Sequence, residues 1–292
     1  MSKLGGIFKS LFTGGKVDVL SRYEILREAV SGTMSQFYKA RDRKTDQIVG
    51  LKVLDREKNR QFEARFKGLN KPTEGQIAVS IHHPRVVETF SHGITTKDQQ
   101  FLVTEFLDGP GLNSLIIGQY QELTDHRLTL IRQAAEALFA VHEAGYIHRD
   151  VCPRNFVVDP RGTSLKLIDF GLTVPATKPF MQPGNRTGTP NYMAPEVVRR
   201  RPTDHRLDIY SFGASVYEMF TYELPWQRGA DGQAAMTHGT EKLPPLEKFC
   251  PQIDPRLARA VMRCLATNPN DRPPTMQAFL NLIRSVKKET VE

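Results

Sequence analysis

Short stretches in which apolar and polar residues alternate dominate the first third of the chain. Five of them are rich in β-branched and aromatic residues and are separated by glycine or polar turns: residues 23–30, 35–42, 47–55, 85–93 and 99–107. Such stretches are typical of strands in a small antiparallel sheet. One segment among them, residues 72–84, places Ile77, Ala78 and Ile81 at helical spacing before Pro84 and predicts the only helix of this part.

Beyond about residue 110, apolar residues recur at intervals of three and four, which predicts helices. Four such stretches are residues 126–145, 207–225, 255–266 and 275–286. The second is apolar on nearly every side and is therefore expected at the centre of a domain. A strand-rich part followed by a helix-rich part predicts an α+β protein whose two parts join near residues 105–111.

The composition fits a globular protein of this kind. The 292 residues are 39% hydrophobic and 25% charged, and no apolar run approaches the roughly 20 residues that a membrane-spanning helix needs. Cys152, Cys250 and Cys264 form neither a CxxC pair nor a ligand cluster, so neither a disulfide framework nor a zinc site is expected. This cysteine usage favours a reducing cytoplasm.

A net charge of +8 raises the question of anionic partners. The basic residues are scattered, apart from Arg199–Arg201, and are not interleaved with aromatic residues, so nucleic acid is not an expected partner. Residues 1–22 predict a flexible basic arm. Helical spacing of the apolar residues within the arm leaves a second interpretation open, a short helix in peripheral contact with a membrane surface.

Three groups of polar residues carry the candidate chemistry. Lys52 lies within an apolar strand pattern, and Glu74 opens the predicted helix, from which it could form an ion pair with that lysine. His-Arg-Asp, an Asn five residues after the Asp, and Asp-Phe-Gly fourteen residues after the Asn supply Asp150, Asn155 and Asp169. Phosphoryl transfer from a nucleotide needs a cation on the phosphates, oxygen ligands for a metal ion and a carboxylate that accepts a proton. The pattern offers each of these.

With these motifs, the chain resembles the protein kinase family over residues 23–283. The shared features are a lysine on the third strand, HRD with its Asn, DFG, and APE at Ala194–Glu196. The stretch GTPNYMAPE is similar to the serine/threonine branch, and the compact DIYSFG form is similar to bacterial members. The resemblance implies a bilobal kinase fold, with one main helix in a small β-rich N-lobe and a larger helical C-lobe. The implied boundaries are 23–104 for the N-lobe, 105–111 for the hinge, 112–285 for the C-lobe and 286–292 for a C-terminal tail.

The resemblance also implies roles for the polar residues. Lys52 would hold the α- and β-phosphates of ATP, and Glu74 would fix Lys52. Asp150 would accept the proton of the substrate hydroxyl. Asn155 and Asp169 would bind Mg²⁺, or Mn²⁺ in its place.

The same resemblance places the adenine of ATP at the hinge. Backbone groups of Glu105 and Leu107 would hydrogen-bond the base, with Thr104 as the gatekeeper behind it. Elsewhere, Asp208 would brace the catalytic loop from the central helix. Arg272 would pair with Glu196, the glutamate of the APE motif.

The chain departs from the family pattern in the loop that covers the phosphates. The key positions of this glycine-rich loop hold Val30, Gly32, Ser35 and Phe37, so only the middle glycine remains. Two glycines that let the backbone approach phosphate closely are missing. The sequence therefore predicts weaker or looser ATP binding at Val30 and Gly32, not its exclusion.

A second departure lies in the catalytic loop, where Cys152 takes the place of the lysine usual in the serine/threonine branch. An unperturbed thiol is largely neutral at pH 7 and cannot replace that cation. Arg154, four residues after Asp150, supplies positive charge in the same loop, as many members of the tyrosine branch do. The charge is therefore expected to be relocated within the loop.

Arg149 adds a regulatory expectation, because such an arginine in the family often binds a phosphate on the activation segment, here residues 171–195. Thr177 and Thr187 are the candidate acceptors, with Thr187 nearer the substrate end. Thr189 is expected to contact Asp150 instead.

Three functions remain open on the sequence alone. The favoured hypothesis is a Mg²⁺-dependent serine/threonine protein kinase that uses ATP, acts on protein substrates and phosphorylates its own activation segment. The alternative is a pseudokinase, a nucleotide-binding scaffold suggested by the eroded glycine loop and by Cys152. A transferase acting on small molecules is the third and least favoured. A transient homodimer is a further expectation from bacterial relatives.

Overall fold

A computed structural model describes residues 15–31, 34–183, 187–226, 238 and 243–290. The chain forms two compact units. The first unit comprises Met1–His82 with Val87–Leu107, and the second comprises His83–Val86 with Asp108–Glu292.

The first unit is built on a five-stranded antiparallel sheet. Its strands are β1 (Tyr23–Ser31), β2 (Ser35–Asp42), β3 (Ile48–Leu54), β4 (Thr89–Ile94) and β5 (Gln100–Glu105), in the spatial order β1-β2-β3-β5-β4. The five predicted strands are confirmed, although β4 begins four residues later than predicted. Apolar side chains on one face of the sheet, including Val49, Leu51 and Val103, are fully buried in its core. This packing leaves the opposite face of β3 to Lys52.

The prediction of a single helix in the first unit is wrong. The described residues of the first unit contain three α-helices: α1 (Val19–Arg22), α2 (Arg56–Glu63) and α3 (Glu74–Ser80). Only α3 was predicted, and it is shorter than the segment 72–84 because Thr73 caps its start and Ile81 leaves the helix with extended backbone. In α2 only Phe62 is buried, so its sequence carries no apolar periodicity from which a helix could be predicted.

The second unit is helical. The α-helices among its described residues are α4 (Leu112–Ile117), α5 (Gln121–Glu143), α6 (Pro195–Val198), α7 (Arg206–Thr221), α8 (Pro255–Cys264) and α9 (Met276–Leu282). Every residue of α7 from Leu207 to Phe220 is buried, which confirms the prediction of a central helix. Phe212 of α7 and Phe279 of α9 meet edge to face, with ring centroids 4.9 Å apart. Helix α7 therefore lies in the core of the second unit.

Two short antiparallel strand pairs, absent from the predicted elements, lie between α5 and α6. Strands β6 (Tyr146–Ile147) and β9 (Val174–Pro175) pair with each other, as do β7 (Phe156–Val158) and β8 (Leu165–Leu167). Strands of two or three residues are too short to show an alternating pattern. They flank the loop that contains His148–Asn155 and position it.

The terminal segments are more closely packed than the sequence predicts. Within the expected arm, Val17 pairs with Thr95, and Val19 is buried against the sheet. Within the expected tail, Val286 is buried and Thr290 pairs with Ile253. The described parts of both segments, residues 15–22 and 286–290, therefore pack on their units.

Candidate active site

The first unit holds the predicted ion pair between Lys52 and Glu74. Lys52 Nζ lies 2.6 Å from Glu74 Oε1, and the two side chains are only 14% and 6% exposed. A buried charge is costly unless it is paired and hydrogen-bonded. The pair therefore fixes the ammonium group at a defined place on the β3 face of the sheet.

The start of α3 is arranged so that Glu74 reaches the sheet. Thr73 and Gln76 form a capping box, in which each side chain accepts a hydrogen bond from the other residue's backbone amide. Gly75 lies tightly against β4, since a Cβ there would be 2.4 Å from Cβ of His92. Glycine at this position lets the helix approach the strand, and this close approach carries the neighbouring Glu74 towards the sheet.

The predicted adenine-binding residues end the sheet of the first unit. Thr104 is buried on β5 opposite Gly50 of β3, and its hydroxyl donates to the carbonyl of Glu105 over 2.9 Å. The amide of Glu105 donates to the carbonyl of Glu88, also over 2.9 Å. A carbonyl oxygen has two lone pairs, so that of Glu105 can accept a second hydrogen bond. Leu107 follows as the half-exposed last residue of the unit.

Phe37 and Gly50 form a complementary pair that the sequence did not predict. A Cβ on residue 50 would lie 2.6 Å from Phe37 Cζ and 2.6 Å from Thr104 Oγ1, so the aromatic ring occupies space that only glycine leaves. Phe37 is opposite Lys52 in the β2–β3 register and lies on the same face as the ammonium group. Phe37, at the last key position of the glycine-loop pattern, is therefore accommodated by the absence of a side chain at Gly50.

The glycine-loop prediction is covered only in part. Val30 lies on β1, where its backbone is paired with Phe37 of β2. Gly32 falls outside the described residues.

In the second unit, Asp208 of α7 holds the catalytic loop. Its Oδ2 accepts from the amide of His148 and its Oδ1 from the amide of Arg149, each over 2.8 Å, as predicted for a brace. His142 of α5 adds a third contact, with Nε2 2.9 Å from Oδ2. Burial alone would raise the pKa of Asp208, but the contacts with His142 and the amide of Arg149 outweigh it and hold that pKa below its ordinary value. Asp208 is thus a fixed negative charge.

The carboxylate of Asp150 is oriented from two sides. Its Oδ1 accepts from the amide and the hydroxyl of Thr189, over 2.8 and 2.7 Å, which confirms the predicted contact. Its Oδ2 accepts from Asn155 Nδ2 over 3.1 Å. Arg154 Nη2 donates to Thr189 Oγ1 over 3.0 Å, so the guanidinium group is linked to Asp150 through that hydroxyl.

Cys152 is fully buried beside this group. Thr189 Oγ1 lies 3.7 Å from its sulfur. Burial, together with the nearby charge of Asp150, raises the pKa of the Cys152 thiol to about 11. The thiol is therefore neutral at physiological pH, and the positive charge beside it comes from Arg154.

Asn155 and Asp169 offer hard oxygen donors on neighbouring segments. The carbonyl of Asn155 accepts from the amide of Ile168, which places the residue before Asp169 beside Asn155. The amide nitrogen of Asn155 is committed to the carbonyl and carboxylate of Asp150, so its amide oxygen is the atom suited to a cation. Asp169 Oδ1 accepts from the amide of Gly171 over 3.0 Å, and its backbone has a left-handed φ of 67°.

These donors fit a magnesium ion that binds together with a nucleotide. Among the residues that the structure describes, no three His, Cys, Asp or Glu side chains cluster as a metal site of their own. Mg²⁺ in such sites is held by one or two carboxylates plus the phosphates of the substrate and water. Asn155 and Asp169 match that requirement.

A buried ion pair lies directly after the activation segment. Arg272 Nη1 lies 2.7 Å from Glu196 Oε1, and Arg272 Nη2 lies 2.8 Å from Oε2, as the resemblance predicted. The arginine side chain is 0% exposed. Bidentate pairing of this kind restricts orientation more than a single contact does.

The candidate phosphorylation positions differ in exposure. Thr177 is exposed, whereas Thr187 is buried, with 8% of its surface accessible. Arg149 is buried too, and that burial lowers the pKa of its guanidinium group. Thr177 is therefore the accessible hydroxyl of the two candidates.

Comparison with known proteins agrees with the geometry. Residues 23–281 match the protein kinase domain family. Serine/threonine-protein kinase pkn3 of Myxococcus xanthus is 30% identical over 280 residues, which cover 92% of this chain and 50% of that protein. Serine/threonine-protein kinase PknB of Mycolicibacterium smegmatis is 29% identical over 263 residues, 86% of this chain and 40% of that protein.

A third relative, serine/threonine-protein kinase PknA of Mycobacterium tuberculosis, is 28% identical over 278 residues, 93% of this chain and 62% of that protein. The chain thus spans about half the length of the curated relatives that it matches. In the described part of the chain, no helix combines the length and the apolar character needed to cross a bilayer. The chain belongs to the protein kinase family, in its bacterial-type serine/threonine branch.

Proposed function

We propose that the protein transfers the γ-phosphoryl group of ATP to serine and threonine hydroxyls of proteins in a Mg²⁺-dependent reaction. The observation that carries this proposal is the orientation of Asp150, whose two carboxylate oxygens are held by Thr189 and Asn155. Such a carboxylate is suited to receive the proton of an attacking hydroxyl.

The first unit contributes nucleotide binding. The ammonium group of Lys52, fixed by Glu74, binds the α- and β-phosphates. Backbone groups of Glu105 and Leu107 hydrogen-bond adenine, and Thr104 bounds the space behind the base. Val30 and Gly32 belong to the segment that covers the phosphates.

The second unit contributes metal binding and proton transfer. Asn155 and Asp169 hold Mg²⁺, which neutralises phosphate charge when it is bound. Asp150 accepts the hydroxyl proton while the bond from the substrate oxygen to the γ-phosphorus forms and the bond from that phosphorus to the β–γ bridging oxygen breaks. Arg154 places a positive charge near this exchange through Thr189.

Replacing Asp150 by asparagine tests the proposal. Phosphate transfer from ATP to a mixture of serine- and threonine-containing peptides should fall by about 10²–10⁴-fold, because the positioned base is lost. Glu143→Gln is a matched control, since Glu143 is an exposed carboxylate at the end of α5. Equal labelling by the wild type and Asp150→Asn would contradict the proposal, provided that the control also keeps wild-type activity.

The second candidate function is a pseudokinase, which Cys152 and the eroded glycine loop favour. It predicts that ATP raises the melting temperature of the wild type while no peptide or protein is phosphorylated. Phosphorylation that depends on a metal ion and is abolished by Lys52→Met would exclude this function.

The third candidate is a small-molecule transferase. A screen in which small-molecule acceptors turn over faster than any peptide would favour it.

The proposal extends to the chain's own activation segment. The exposure of Thr177 makes it the preferred acceptor of a phosphate in the described conformation, ahead of Thr187. Protein substrates and ATP are the proposed partners. The three free cysteines favour a reducing cytoplasm as the place of action.

A further inference from the structure

The second unit contains a cavity of about 630 Å³ where the end of the activation segment meets the loop between α8 and α9. Three prolines form part of its walls: Pro195, Pro202 and Pro269. Proline fixes its backbone φ, so these walls are rigid before any ligand arrives. The volume lies within the range of about 300–1,000 Å³ that is usual for binding pockets.

The charged lining of this cavity comprises two arginines and two carboxylates. It includes Arg199 and Arg201, which come from the one basic run that stands out in the sequence and has no role in the proposed reaction. Glu196 also lines the cavity, but both its carboxylate oxygens are bound by Arg272, which neutralises it. Asp271 adds one negative charge on the rim. Two arginines and one carboxylate, that of Asp271, thus line the cavity outside the Glu196–Arg272 pair, and Arg199 Nη2 also donates to the carbonyl of His238 over 3.3 Å.

The backbone explains why the middle arginine of the run is different. Arg200 has a left-handed φ of 52°, and it does not line the cavity although both of its neighbours do. The amide of Arg201 donates to the carbonyl of Glu196 over 2.8 Å, which closes the turn. The turn therefore places Arg199 and Arg201 at the cavity. Arg200 is exposed elsewhere and can serve as the control position in experiments.

We propose that this cavity is a docking site for an acidic segment of a protein substrate. Complementary charge selects the occupant, because carboxylate side chains pair with guanidinium groups. The position favours a peptide, since the cavity begins at Pro195, the residue that ends the activation segment. This inference rests on the proposed function for its biological meaning, whereas binding itself requires no catalysis.

Direct binding of a labelled peptide tests the site without ATP. The probe is a fluorescein-labelled peptide rich in glutamate, and the control peptide has lysine at each glutamate position. Fluorescence anisotropy on the full chain should show binding of the acidic peptide that weakens as salt is added. Arg201→Glu should reduce the affinity by about fivefold or more, because an attraction becomes a repulsion. Arg200→Glu, the matched control, should change it by less than about twofold.

A variant with the opposite effect separates lost binding from lost folding. Asp271→Asn removes the rim carboxylate and should strengthen binding of the acidic peptide, an outcome that misfolding cannot produce. Equal losses for Arg201→Glu and Arg200→Glu would overturn the proposal, as would equal binding of the glutamate and lysine peptides. Because no phosphoryl transfer is measured, such a result would leave the proposed kinase activity untouched.

Discussion

Cys152 shows how the surroundings of one residue decide its charge. It occupies the position where the resemblance predicts a lysine, and burial beside Asp150 raises its pKa to about 11. The nearest positive charge comes instead from Arg154, held on Thr189 over 3.0 Å. The loop therefore keeps a cation but supplies it from a different side chain.

The neutral thiol leads to a prediction about pH dependence. Cys152→Ser should leave the shape of the kcat/KM profile unchanged between about pH 6 and 9, because the thiol does not ionise in that range. The more exposed Cys250 gives a matched control in Cys250→Ser. A profile whose midpoint moves only in Cys152→Ser would show that the thiol titrates with the reaction.

The raised pKa of Cys152 also affects stability. The thiol ionises more readily in the unfolded chain than in the folded protein, so the free energy of unfolding should decrease as pH rises from about 9 to about 11.

Residue-level contacts could be predicted from the sequence where the family motifs define both partners. The pair of Lys52 with Glu74 and the contact of Thr189 with Asp150 belong to this class. The contact of Phe37 with Gly50 could not be predicted, because it depends on strand register and on the shape of a ring. No local pattern indicates that kind of fit.

At the scale of an element, α3 is positioned by a glycine. Alanine at residue 75 would improve helix propensity by up to about 1 kcal/mol. Its Cβ would, however, lie 2.4 Å from Cβ of His92, and overpacking of a well-packed site costs about 1–3 kcal/mol. The steric effect should win.

Gly75→Ala is therefore expected to lower both stability and activity. The free energy of unfolding should fall by about 1 kcal/mol in urea titrations, because α3 is forced away from β4. Phosphoryl transfer should fall as well, because Glu74 moves with the helix away from Lys52. The double variant Gly75→Ala with His92→Gly, which also removes the Cβ of residue 92, should recover transfer relative to Gly75→Ala alone. If Gly75→Ala were more stable than wild type, helix propensity would outweigh packing and this view of α3 would be wrong.

Element prediction succeeded where periodicity was strong. The buried helix α7 has apolar residues on every side and was predicted from them. By contrast, α2 buries only Phe62, and strands such as β6 (Tyr146–Ile147) are too short to alternate. These elements are stabilised by their neighbours more than by their own sequence.

At the scale of the whole molecule, contacts between segments distant in sequence organise the second unit. Glu196 and Arg272 are 76 residues apart, and the amide of His148 is 60 residues from Asp208. Breaking a buried ion pair by removing one partner typically costs about 3–5 kcal/mol. The resemblance could predict such pairs, because family motifs carry long-range information. Periodicity alone could not, and neither could it predict His142, which reaches Asp208 across 66 residues.

The proposed reaction requires both the ammonium group of Lys52 and the carboxylate of Asp169. The most direct test is the single-turnover rate of phosphoryl transfer from Mg²⁺-ATP in the wild type, Lys52→Met, Asp169→Asn and the double variant. Each single variant should lose about 10²-fold or more, and the double variant should lose little beyond that, because groups that act as a unit are not additive. A wild type without transfer, or single variants that retain the wild-type rate, would contradict the proposed kinase reaction.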